Sequence, residues 1–120
     1  MIQIDLDYLN GLGGGDNNFV IDMLQTYIEE TNKDMQELRQ ALTNQDVKRI
    51  TFLAHRSKAA FRMLGLESMA DNAEKIEKMA NAEDASVNNV LKDVTELIAD
   101  AETSFQQAKD WIDKLKTEPS

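Results

Sequence analysis

Apolar residues recur at spacings of three and four along almost the entire chain, and the single proline stands at position 119. Residues three or four apart share one side of an α-helix, whereas a half-buried strand alternates every second residue. With proline confined to the extreme C-terminus, no interior position loses its N–H or is forced to break a helix. Helix is therefore the default, and the chain divides at the residues that end helices.

Ile4, Leu6, Leu9 and Leu12 form a short apolar lead-in, "GLGGGD" is a flexible turn, and Asp16 is placed to cap the next element. Val20, Leu24, Tyr27, Thr31, Met35, Leu38 and Leu42 then predict one long amphipathic helix over 17–43. "TNQD" breaks it, with Asp46 as the next cap, and Val47, Ile50, Ala54, Ser57 and Phe61 define a second helix over 46–62. Leu64 and Gly65 end that helix, glycine being common just past a terminus. Leu66, Met69, Ala73, Ile76 and Ala80 mark a third helix over 66–80, and "NAEDAS" a polar loop. Val87, Val90, Val94, Leu97, Ala101, Phe105, Ala108, Ile112 and Leu115 mark a fourth over 86–116, with a frayed tail at 117–120. Four helices with short joints and one apolar stripe each predict an all-α, antiparallel up-down four-helix bundle with a short N-terminal lead-in. One domain over 1–120 is expected.

Charge and composition remove several classes of function. The chain has 22 acids against 13 bases, a formal charge of -9, which argues against nucleic acid and against an anionic membrane surface. Without cysteine there is no disulfide framework, thiolate metal site or thiol nucleophile. Acids stand near the N-terminus where a signal peptide needs a basic segment, and no run approaches the roughly 20 apolar residues of a membrane span. A cytoplasmic protein is expected. "GLGGGD" is followed by asparagines and not by the lysine of a phosphate-cradling loop, so it is taken as a turn.

The only histidine, His55, lies one step off the apolar stripe of the second helix. Its neighbours at three, four and seven positions are Thr51, Phe52, Lys58, Ala59 and Arg62, so the ring is expected to be exposed beside the core edge. Ala59 and Ala60 leave its edge open to a large reactant. Residues 46–62 hold Lys48, Arg49, Arg56, Lys58 and Arg62 against Asp46 alone, whereas the rest of the chain has eight bases and 21 acids. Phe52 is either an exposed docking residue or part of a wide core face shared with Leu53. Imidazole titrates near neutrality, and its neutral form has a nucleophilic nitrogen. There is no serine–histidine–acid set for hydrolysis, and neither HxxxH nor ExxH for a metal site. Acceptance of a phosphoryl group survives, with Lys58 and Arg62 there to attract it.

The segment "FLAHRSKAAFRMLG" resembles the signature of histidine-containing phosphotransfer (HPt) domains, in which A-H-x-x-K and two small residues precede L-G. Ala54, His55, Lys58, Ala59, Ala60, Leu64 and Gly65 occupy those positions. "LDYLNGLGGGDNNFVIDMLQTYIEE", "ALTNQDVKRI" and "KIEKMA" are similar to the family's flanking segments, so the resemblance covers about residues 5–80. The last helix is similar in periodicity only. Ala59 departs from the family's usual glycine, and Ser57 stands where leucine is common.

The resemblance implies a phosphorelay intermediate without kinase activity of its own. His55 would accept the phosphoryl group from a receiver aspartyl phosphate and pass it to another receiver. Lys58 would steer and neutralise the group, Ala59 would leave room, and Glu77 would meet the ring from the following helix. Lys48, Phe52, Arg56, Arg62, Phe19 and Met23 would form the docking face. The partners implied are response-regulator receivers and a hybrid sensor histidine kinase, with Mg²⁺ on the receiver and no cofactor on this chain, which would act as a monomer. An interaction-only bundle that binds receivers without carrying phosphate is the alternative.

Overall fold

The computed structural model describes residues 2–118, and among them the regular structure is entirely helical. α1 spans Asp7–Gly13, α2 Asn17–Thr43, α3 Val47–Met63, α4 Glu67–Ala80 and α5 Val87–Thr117. Neighbouring helices run antiparallel, as their cross-contacts establish. Tyr27 of α2 reaches Ser104 of α5 while Asn17 reaches Leu115, Arg56 of α3 meets Asp34 of α2, and His55 of α3 meets Glu77 of α4. Contacts of α2 with α3, α3 with α4, α4 with α5 and α5 with α2 close the ring of four long helices.

The apolar stripes meet inside this ring. Val20, Leu24, Leu38, Ile50, Phe61, Met69, Ile76, Val90 and Leu97 are fully or almost fully buried. Each such side chain contributes roughly 1.5–3 kcal/mol by leaving water. Tyr27 sits edge-on to Phe61 and Phe105, with ring centroids 6.5 and 5.7 Å away. Its hydroxyl lies 2.7 Å from Ser104 Oγ, which itself donates to the Ala101 carbonyl, so the tyrosine is the donor. Burial pushes the Tyr27 phenol up to about 12, the Ser104 contact offsetting part of that shift. Ser57, at a position where leucine would pack, donates instead to the Leu53 carbonyl at 2.8 Å and stays buried.

Side-chain caps fix the starts of α2 and α3. Asp16 accepts from Asn18 N–H at 2.9 Å and Asp46 from Arg49 N–H at 3.0 Å. Asp46 therefore stands outside α3, which begins at Val47 instead of 46 and continues to Met63. The α3 C-terminus is a Schellman turn: Leu66 N–H bonds the Phe61 carbonyl, Gly65 N–H bonds the Arg62 carbonyl, and Gly65 has φ 70°. α5 runs one residue beyond the expected 116, through Thr117, while 119–120 of the expected tail lie outside the described residues.

The N-terminal lead-in differs most from expectation, because seven of its residues are helical. The turn expected at "GLGGGD" begins only at Gly14, a left-handed residue with φ 60°. Tertiary contacts hold α1 in place. Leu9 is completely buried, Asp5 N–H bonds the Leu64 carbonyl at 2.8 Å, and Gln107 of α5 bonds both Ile4 N–H and the Ile2 carbonyl. The segment thus closes the end of the bundle where the α3–α4 hairpin turns, setting α1 beside the last turns of α3. No described helix is long and apolar enough to cross a membrane.

Candidate functional site around His55

On α3, Ala54 faces the core and is fully buried, so the next residue is rotated about 100° away from it. The His55 side chain is 68% exposed. The same rotation resolves the pair before it, since Leu53 is buried and Phe52 is exposed. The core face is wide enough for Leu53 but not for its neighbour.

The antiparallel α3–α4 hairpin brings Glu77 to the ring. Its Oε2 lies 2.8 Å from His55 Nδ1, and its Oε1, shielded from solvent, lies 2.7 Å from Lys58 Nζ. Glu74, one turn earlier on α4, lies 3.9 Å from the same ammonium. The Lys58 ammonium, and after it the His55 ring, holds the Glu77 carboxyl below the ordinary carboxylate range, with burial opposing. An ionised carboxylate only accepts hydrogen bonds, so the imidazole donates from Nδ1. In the neutral ring this leaves the lone pair on Nε2, the nitrogen away from Glu77.

His55 lines an open groove of about 660 Å³ together with Tyr8, Lys58, Ala59, Arg62 and Met63. Ala59 is exposed and adds little bulk beside the ring. Tyr8 comes from α1, which places an aromatic side chain across the groove from α3. Tyr8 and Leu12, one turn apart on α1, are 58% and 57% exposed. Phe19 and Met23, expected on the docking face, are instead half-buried against the core. Phe19 lies so close to Gly13 that a Cβ there would come within 2.5 Å of its ring, which fixes its position under α1.

Cations on α3 are largely matched by acids from its neighbours. Arg49 pairs with Glu37 at 2.7 Å, and Arg56 pairs with Asp34 and, at 3.6 Å, with Glu37. The Asp34 hydrogen bond pushes the Arg56 guanidinium further above its ordinary value. Both guanidiniums also stack on Phe52, each 5.0 Å from the ring centroid. Among the described residues Lys48 and Arg62 form no ion pair. The concentrated charge counted along one helix is therefore smaller in space, because Asp34, Glu37, Glu74 and Glu77 face it.

Counting along α3 could not find Tyr8, Glu74 or the two acids of α2, since their proximity depends on how helices pair. The one available signal was the spacing of Tyr8 and Leu12, four apart and both turned to the same flank of Leu9. No group of three or more His, Asp or Glu side chains among the described residues is arranged to hold a metal ion.

A family model described as Hpt domain matches residues 22–117. The match runs through α5, where the sequence resembled the family in periodicity only, and it leaves α1 outside. No curated protein and no solved structure matches the chain.

Proposed function

Because this chain belongs to the Hpt domain family, we propose that it is a phosphorelay intermediate whose His55 accepts a phosphoryl group from one receiver and delivers it to another. As an Hpt domain it is a phosphocarrier and not a kinase at the family level. The observation that carries the reading is the hydrogen bond between His55 Nδ1 and Glu77 on a ring that is otherwise open to solvent. That bond directs the Nε2 lone pair outward into a groove a receiver can enter.

In the accepting step Nε2 attacks the phosphorus of the aspartyl phosphate in line with the departing carboxylate oxygen. The N–P bond forms, the O–P bond breaks, and the receiver regains its free aspartate. The ring now carries phosphorus on Nε2 and hydrogen on Nδ1, hence a positive charge that the Glu77 carboxylate balances. Delivery reverses the order: the carboxylate of a second receiver attacks phosphorus, and His55 leaves as the neutral Nδ1–H imidazole. Keeping the Nδ1 proton avoids expelling an imidazolate. Receivers bring Mg²⁺ to this chemistry, and the chain contributes a nucleophile, an orienting carboxylate and a docking surface. Lys58 holds the Glu77 carboxylate in place through their ion pair.

Tyr8, Leu12 and Phe52 supply the apolar part of the docking face, with Lys48, Arg56 and Arg62 at its charged rim. The partners are response-regulator receivers, one of them carried by a hybrid sensor histidine kinase. The setting is cytoplasmic and the working unit a monomer. The test is a relay in two stages. Phosphorylated chain, freed of donor, is mixed with a fresh receiver and Mg²⁺, and label should move to the receiver as label on the chain falls. Retention of label on the chain beside a panel of receivers that bind it would contradict the carrier role.

A further inference from the structure

We propose that Arg62, and not Lys58, is the cation that contacts the phosphoryl group on His55 Nε2, while Lys58 acts on the ring through Glu77. The proposal rests on the phosphoacceptor reading of His55.

Lys58 is committed elsewhere. Its ammonium sits 2.7 Å from Glu77 and 3.9 Å from Glu74, and its side chain is only 14% exposed. Moving it to the outer edge of the ring would strip the solvent-shielded Glu77 Oε1 of its cation. A buried carboxylate oxygen without a partner is costly. The phosphoryl group would gain one contact and the ring would lose the firm acceptor that holds Nδ1–H.

Arg62 has the opposite situation. It is exposed, it lines the same groove, and no ion pair holds it among the described residues. It follows His55 by seven positions, so it lies on the same face of α3, about 10 Å further along the axis. Helical side chains lean toward the N-terminus, which aims Arg62 back over its own preceding turn toward His55. The residue between them on that face is Ala59, too small to block the path. A guanidinium can also give two parallel hydrogen bonds to phosphoryl oxygens, which a single ammonium cannot match in geometry. The titratable groups around the ring are then Lys58 and Arg62 from α3 and Tyr8 from α1, which line the groove with it, Glu77 from α4, which bonds it, and Glu74, which lies beside Lys58.

The test uses phosphoramidate, which phosphorylates imidazole without a receiver: its N–P bond breaks, ammonia leaves, and a new bond forms at the ring nitrogen. With ¹⁵N-labelled full-length protein, the Arg62 guanidinium resonance should shift on phosphorylation while the Lys58 ammonium stays where it was. Arg62→Gln should take phosphoryl from a receiver about tenfold more slowly, with the free ring's ¹⁵N signals unchanged. Lys58→Gln should instead alter those ring signals before any phosphorylation, and Lys58→Arg should restore them. An unmoved Arg62 resonance, or a shift of Lys58 in its place, would overturn the proposal. So would slowed transfer in Arg62→Gln without a resonance shift, which would make Arg62 a docking residue only. Absence of any label on His55 would remove the phosphoacceptor reading itself, a result distinct from these.

Discussion

At the scale of single residues the site turns on one carboxylate with two partners. Glu77 accepts from the ring at Oε2 and holds Lys58 at Oε1. Replacing it with glutamine keeps an acceptor for Nδ1–H but removes the charge that Lys58 answers. Glu77→Gln is therefore expected to lower the single-turnover transfer rate by about tenfold, the usual scale for losing a partner that orients a ligand or base. The pair also makes a prediction about pH. The folded-state pKa of Glu77 is lowered from an ordinary 4.5, so its contribution to stability is complete above that value and is lost as pH falls through the lowered one. Thermal melts of wild type and Glu77→Gln should differ most above pH 4.5 and converge as pH falls through the lowered value. His55's exposure was legible because a helix turns a fixed angle per residue. Lys58's commitment was not, because its partner sits 19 positions away on another helix.

At the scale of elements, the legible features were those that depend on neighbours in sequence. The stripes, the Asp16 and Asp46 caps and the Gly65 terminus all express local geometry, and the helices follow from them. α1 escaped because seven residues containing Gly11 and Gly13 cannot sustain a helix in isolation. It forms because Leu9 is buried and Asp5 is anchored to the end of α3. Gly65 joins the two elements. Its φ is 70°, and a Cβ there would come within 2.6 Å of Asp5 Cβ, so Gly65→Ala incurs backbone strain and pushes the N-terminal segment away. A loss of about 1–2 kcal/mol in urea unfolding is expected. Asp46→Ala should cost about 1 kcal/mol in the same measurement by removing the α3 cap, without displacing α1.

At the scale of the whole molecule the bundle is 53 Å long and about 22 Å across, and the groove beside His55 opens toward the end where the α3–α4 hairpin turns. Exposed Tyr8 and Leu12 support no core, so Leu12→Asp should weaken receiver binding about tenfold by calorimetry while leaving the unfolding midpoint unchanged. Overall charge is -9, yet the groove beside His55 is lined by Lys58 and Arg62. The spatial neutralisation of Arg49 and Arg56 was invisible in the sequence for the same reason as the Lys58 pair: antiparallel neighbours contribute the acids. What remains most exposed to refutation is the identity of the acceptor. Incubation of phosphorylated receivers with wild-type chain and with His55→Gln decides it. Label that appears on wild type only, and that is lost in acid but kept in base, is the predicted result. Equal labelling of the His55→Gln chain, or a bond stable in acid, would contradict it.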